Sequence, residues 1–213
     1  MNVKVLGYII GFTAQLLFAA RVLVQWIKSE QVKRVFNPTS FWVLSLIAAF
    51  LMFIYGWLRE DFAIILGQSL TYFIYIRNLQ LKNVWYKIPM IARGLLLLIP
   101  MVIIFYFYFS GQVGYTQLFK NENIPMWLLI WGSIGQLVFT FRFIYQWIYS
   151  EKMKESVLPL GFWILSLVGS LMILSYAIIR RDPVLFLGQS FGFIVYIRNI
   201  ILWQKSKKIS LND

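Results

Sequence analysis

A chain of 213 residues that is 60% hydrophobic and only 13% charged, with a mean hydropathy of +0.72, has the bilayer as its solvent. It holds no Cys, no His and only eight carboxylates, which excludes disulfides and thiolates and points away from an enzyme, a metal or a cofactor. Its net charge of +12 is spread between apolar runs instead of clustered on one solvated face, which argues against nucleic acid as a partner.

Seven apolar runs come near the roughly 20 residues that cross a bilayer. The segment 1–6 shows no cleavable signal pattern and runs straight into a first span at about 5–27, carrying Gln15, Arg21, Gln25 and Trp26, with Ser29 and Glu30 just beyond. Asn37-Pro38 leads into the second span at about 39–58, where Pro suits a first helical turn. Arg59-Glu60-Asp61 makes a tight turn, so the third span, about 61–80, is expected antiparallel to the second. It carries Leu66-Gly67-Gln68-Ser69 and Tyr75-Ile76-Arg77-Asn78. A fourth span lies at about 88–109 and a fifth at about 125–149. Leu158-Pro159 precedes the sixth, about 160–179, and Arg180-Arg181-Asp182-Pro183 turns into the seventh, about 183–204.

The chain repeats itself. Residues 15–81 align without a gap on 136–202 at a constant offset of 121, with 28 of 67 positions identical. Gln15, Arg21, Gln25, Ser29 and Glu30 return as Gln136, Arg142, Gln146, Ser150 and Glu151; Gln68, Tyr75 and Asn78 return as Gln189, Tyr196 and Asn199. The expected architecture is all-α, a polytopic membrane protein of seven helices in a 3+1+3 order. A first three-helix repeat occupies 1–82, a linker helix 83–120 and a second repeat 121–213. Three spans per copy would invert the second copy if the two were joined directly, and the extra crossing restores parallel repeats.

Alternate loops hold five basic residues on one side (Lys4, Arg59, Lys120, Arg180 and Arg181) and twelve on the other, from Lys28 to Lys208. The positive-inside rule then puts the N-terminus outside and the C-terminus in the cytoplasm. Trp26, Trp42, Trp147 and Trp163 fall near cytoplasmic helix ends, where an aromatic belt is expected.

At 100° per residue, with Gln15 at zero, Arg21 lies at about 240°, Gln25 at about 280° and Ser29 at about 320°, one arc of about 120°. The same arc recurs with Gln136, Arg142, Gln146 and Ser150. Gln68, Tyr75 and Asn78 share one face of the third span, as do Gln189, Tyr196 and Asn199 of the seventh, while Arg77 and Arg198 turn away and are expected to snorkel to headgroups. Polar side chains in a bilayer face a cavity or each other. They serve either as interhelical glue or as a substrate site, and the sequence leaves both open. Arg21 and Arg142 lie about two turns inside the cytoplasmic edge. Two guanidiniums facing a common axis repel, and a bound phosphate between them would relieve this; bonding to backbone carbonyls, or snorkelling, is the alternative.

The pattern Gln-x5-Arg-x3-Gln-Trp-x2-Ser-Glu, followed by Pro-x2-Phe-Trp-x2-Ser-Leu, Leu-Gly-Gln and Tyr-Ile-Arg-Asn, resembles the lipid-A-disaccharide synthase N-terminal-like domain family. That family is similar to the PQ-loop, or sugar-transporter-like, superfamily. The resemblance implies three-helix bundles, a bacterial inner membrane and a link to lipid A or glycolipid metabolism. It departs from the superfamily at the proline of the Pro-Gln pair, which is Ala14 before Gln15 and Gly135 before Gln136, so a proline hinge is replaced by whatever softness Gly11, Gly132 and Gly135 supply.

The leading expectation is a transporter or flippase for a phosphate-bearing glycolipid or polyprenyl-phosphate sugar. Arg21 and Arg142 would hold the phosphate. Gln25, Gln68, Asn78, Gln146, Gln189 and Asn199 would contact the phosphate or sugar hydroxyls, Gln15 and Gln136 would also bind substrate, and Tyr75 and Tyr196 would stack on the sugar or donate hydrogen bonds. The alternatives are a facilitative transporter of a free small solute such as a sugar, and a non-transporting membrane subunit that recruits a lipid A enzyme such as a membrane glycosyltransferase.

Overall fold

The structure is a computed structural model that describes residues 3–58, 62–109, 125–181 and 183–209. Apart from short connections these residues form helix, with no strand among them: α1 (Val3–Val32), α2 (Thr39–Leu58), α3 (Phe62–Leu81), a short 3₁₀ turn (Trp85–Lys87), α4 (Met90–Phe109), α5 (Met126–Met153), α6 (Leu160–Arg180) and α7 (Pro183–Ile209). Among the described residues four helical segments are long and apolar enough to cross a membrane: Val5–Val32, Thr39–Leu58, Met126–Met153 and Leu160–Ile179; Met90–Tyr106 is a shorter apolar helix. The turn expected at Arg59-Glu60-Asp61 lies outside the described residues, as do Lys120 and Asp182 of the loops.

Helix ends follow from local chemistry. Pro159 is the N-cap of α6, with φ −71° and ψ 163°, one position ahead of the first turn where proline was expected. It presets φ and has no N–H to strand. α5 ends at Lys154 in the left-handed region (φ 55°), whose N–H returns to the Ser150 carbonyl. Lys33 holds the same φ at the end of α1. A repeated sequence has thus produced a repeated terminus.

The chain forms two compact units, neither contiguous. The first takes residues up to Arg21 and Thr39–Glu122; the second takes Val22–Pro38 and Asn123–Asp213. The helix α1 is therefore divided between them. In the first unit α2 packs on α3, with α4 against both; in the second, α5 packs on α6 and α6 on α7. Small residues set these approaches. A Cβ on Gly169 of α6 would meet the Phe139 backbone of α5 at 2.8–2.9 Å, and one on Gly132 would meet the Tyr176 ring at 2.7 Å. Gly132 and Gly135, expected to soften α5, are close-packing points in an unbroken helix.

Trp42 and Trp163 are fully buried against Phe41 and Tyr75, and against Phe162 and Tyr196, respectively. They belong to the helix packing and not to an interfacial belt. Trp26 and Trp147, in contrast, donate their indole N–H to Glu30 and Glu151 at 3.1 Å. Large apolar side chains stand exposed along α1, α4 and α5, as suits elements whose surrounding solvent is hydrocarbon.

Candidate functional site

Each repeat builds one buried arginine cage. In the first, Arg21 of α1 donates from Nη1 to Ser45 Oγ (2.8 Å, α2) and to Tyr75 Oη (3.1 Å, α3). Its guanidinium carbon lies 4.6 Å from the ring centroid of Phe18, 5.2 Å from Phe41 and 5.5 Å from Tyr75. In the second, Arg142 of α5 donates to Ser166 Oγ (3.3 Å, α6) and Tyr196 Oη (3.2 Å, α7). Its guanidinium lies 3.4 Å from the Phe139 ring, 4.8 Å from Phe143 and 5.5 Å from Phe162. Both arginines are buried, 6% and 5% exposed. Phe18, Arg21, Phe41, Ser45 and Tyr75 all reappear unchanged 121 positions on.

The cage is a way of keeping a cation in an apolar setting. Hydroxyl oxygens accept two of its N–H groups. The negative ring faces add about 2 kcal/mol per desolvated contact, and Arg's planar fork suits both at once. The hydroxyl and ring partners named for each guanidinium come from its own repeat. Ser45, Ser166, Phe18, Phe41, Phe139 and Phe162 were not singled out as site residues, although their identity between repeats was the available signal.

A second polar layer lies one helical turn away. Gln25 Nε2 donates to Asn199 Oδ1 (2.8 Å) and Asn199 Nδ2 returns to Gln25 Oε1 (3.2 Å), both residues being fully buried. Gln25 also reaches Ser29 Oγ and the Phe36 carbonyl, and Ser29 Oγ accepts from the Phe36 N–H at 3.0 Å. Gln146, Ser150 and Val157 repeat this staple at 2.8, 2.9 and 3.1 Å. It fastens the chain beyond each helix end to the helix itself. Asn78 and Asn199 each bond back to their own helix, at the carbonyls of Ile74 and Val195, both at 2.9 Å.

The remaining candidates stand apart. Gln15 and Gln136 are exposed, and Gln68 and Gln189 are half-buried. None of these four makes a side-chain hydrogen bond among the described residues. Gln15 instead lines a groove of about 180 Å³ with Tyr8, Gly11, Phe12, Met52 and Tyr55. Arg198, expected to snorkel, forms a two-pronged ion pair with Glu30, Nη2 to Oε2 at 2.8 Å and Nε to Oε1. Its partner is thus a carboxylate near the end of α1 and not a headgroup. No group of three or more acids capable of holding a metal ion occurs among the described residues.

Comparison with known proteins agrees with the duplication. The lipid A biosynthesis N-terminal domain matches twice, over residues 10–80 and 131–201. The chain is 31% identical over 208 residues to a lipid-A-disaccharide synthase of Chlamydia pneumoniae, covering 94% of this chain and 34% of that protein. It is 30% identical over 211 residues to the protein of that name in Chlamydia caviae, with the same two coverages. With Chlamydia trachomatis serovar D the figures are 28% over 202 residues, 91% and 33%. The chain thus spans about a third of the length of the curated relatives it matches. No solved structure matches it.

These relatives overturn one expectation. The missing His and Cys argued for a protein that is not an enzyme, yet the relatives are named for an enzyme. The composition argument failed because it weighed side chains in a stretch one third as long as theirs, and catalytic groups need not lie in the stretch counted.

Proposed function

The chain belongs to the lipid A biosynthesis N-terminal domain family, and on that premise we propose that it holds a phosphate-bearing glycolipid within the bilayer and carries it across, as a flippase-type transporter serving lipid A biosynthesis. In this reading all seven helices cross the bacterial inner membrane in 3+1+3 order, N-terminus outside, as in the PQ-loop superfamily. The two repeats rock against each other to alternate access. The observation that carries the reading is the duplicated cage: Arg21 with Ser45 and Tyr75, and Arg142 with Ser166 and Tyr196. A guanidinium held by a hydroxyl from each neighbouring helix can exchange those hydroxyls for phosphate oxygens, since phosphate adds its own negative charge and can accept two parallel bonds from the planar fork. The cargo is a lipid A-related intermediate or a polyprenyl-phosphate sugar.

A second reading has an observation of its own. The relatives are three times as long and named for a synthase, so the module would keep lipid substrate beside a glycosyltransferase without moving it. Native mass spectrometry with lipid identification tests the shared part. Wild type is compared with Arg21→Ala/Arg142→Ala and with the milder Ser45→Ala/Ser166→Ala. A phosphate-bearing glycolipid that stays with wild type and is lost from folded variants supports it. Equal lipid in all three sinks the phosphate role of the cages. Movement of a fluorescent polyprenyl-phosphate sugar between vesicle leaflets then separates the carrier from the holder.

A further inference from the structure

The groove beside α1 has no part in the arginine cages, and its lining is of another kind. It is built from Tyr8, Gly11, Phe12 and Gln15 of α1 with Met52 and Tyr55 of α2, and among these described residues there is no charged side chain. We propose that this groove is the sugar-binding site of the protein, taking one neutral pyranose ring of a glycolipid.

Three observations converge. First, Gln15 sits about 18 Å along α1 from Val3, at 1.5 Å per residue, in the middle of a helix of 30 residues that qualifies as a membrane span. Its side chain is exposed there without a hydrogen bond among the described residues. An amide at that depth is costly unless something polar meets it, and it offers both a donor and an acceptor, the two functions a sugar hydroxyl matches. Second, the lining is largely aromatic: Tyr8, Phe12 and Tyr55 stand around it, and aromatic rings suit the C–H face of a pyranose, in the mix of apolar wall and sparse polar groups typical of ligand sites. Third, the size fits. A cavity of about 150 Å³ holds benzene, so about 180 Å³ admits one six-membered ring.

Gly11 makes the space. A Cβ there would stand 3.0 Å from the Tyr55 ring, so any larger residue pushes that ring into the groove. The second repeat keeps the glycine, the glutamine and the tyrosine as Gly132, Gln136 and Tyr176, but has Leu129 and Ser133 where Tyr8 and Phe12 stand. Tyr176 also lies closer over its glycine, at 2.7 Å. Tyr8 and Phe12 thus have no aromatic counterpart in the second repeat, and the proposed sugar site lies in the first.

The inference takes only the glycolipid nature of the ligand from the proposed function. Its test uses a probe without phosphate, so either can fail while the other stands. The full chain in nanodiscs of phosphatidylethanolamine and phosphatidylglycerol is photolabelled with octyl β-D-glucoside carrying a diazirine next to the sugar. Labelled peptides should cover residues 8–15 and 52–55. Excess dodecyl β-D-glucoside should suppress them about tenfold and dodecylphosphocholine should not. Gln15→Leu should reduce labelling by about tenfold, the order expected for losing neutral hydrogen bonds, and Phe12→Ala should reduce it as well, while Gln136→Leu leaves it unchanged. Labelling that is equally suppressed by dodecylphosphocholine, or that is undiminished in Phe12→Ala and folded Gln15→Leu, overturns the proposal and makes the groove an ordinary acyl-chain contact.

Discussion

Gln25 and Asn199 bond to each other in both directions, 2.8 Å one way and 3.2 Å the other, across 174 residues of sequence. Each amide supplies what the other lacks, so neither leaves a polar atom stranded toward its partner. A double-mutant cycle with Gln25→Leu and Asn199→Leu should return a coupling of about 0.6–1.7 kcal/mol in unfolding free energy, the range of interhelical hydrogen bonds in membranes. Each single variant should cost about 1–3 kcal/mol, because it strands the surviving amide. Strictly additive losses would show that the pair carries no energy.

The two cages should respond alike. Tyr75→Phe and Tyr196→Phe each remove one acceptor from a buried guanidinium, at 3.1 and 3.2 Å. Each should lower stability by about 1.5–3 kcal/mol, the worth of a bond to a charged group. Arg21→Lys should not restore the wild type, since an ammonium cannot hold both hydroxyls and the flanking rings in a planar fork. Thermal unfolding in detergent measures all three, and a large loss in one repeat with none in the other contradicts the equivalence.

Gly169→Ala should be among the most damaging small changes. The added methyl would fall 2.8 Å from the Phe139 nitrogen and 2.9 Å from its Cα, and backbone cannot step aside as a side chain can. Overpacking of this kind costs about 1–3 kcal/mol. The matching position of the first repeat is Ala48, buried without exposure. Ala48→Gly should cost only about 1 kcal/mol, from one lost methyl and added backbone freedom.

Charge reversal probes the Glu30–Arg198 pair. The two side chains are 26% and 36% exposed, so solvent screens them. Glu30→Arg or Arg198→Glu should lower the melting temperature, and the double reversal should recover much of the loss. The recovery should shrink between 0.01 M and 1 M salt, where the Debye length falls from about 30 Å to about 3 Å. A recovery independent of salt would mean that packing, not charge, explains it.

Much of the helical layout was legible because apolar runs of membrane length admit few structures: α2, expected at about 39–58, occupies Thr39–Leu58. The polar face of α1 was legible only in part. A helical wheel put Gln15, Arg21, Gln25 and Ser29 on one arc, yet Arg21, Gln25 and Ser29 are buried and Gln15 is exposed. Gln15 stands at the edge of that arc, about 120° round the helix from Arg21, far enough to leave the packed face. Arg198 was misread for a related reason: its carboxylate partner lies 168 residues away, and spacing along one helix carries no sign of it.

The division of α1 also sets an order of events during synthesis. The stretch 22–38 finds distant bonding partners on α7 and just ahead of α6: Gln25 waits for Asn199, Glu30 for Arg198 and Asn37 for Ser156. At about 5–20 residues per second, the ribosome needs on the order of ten to thirty seconds to make the 174 residues between Gln25 and its partner. For that interval α1 holds an amide and a carboxylate that the finished fold pairs but the nascent chain cannot. Its correct placement depends on α7 arriving, or on the insertion machinery sheltering those groups until it does.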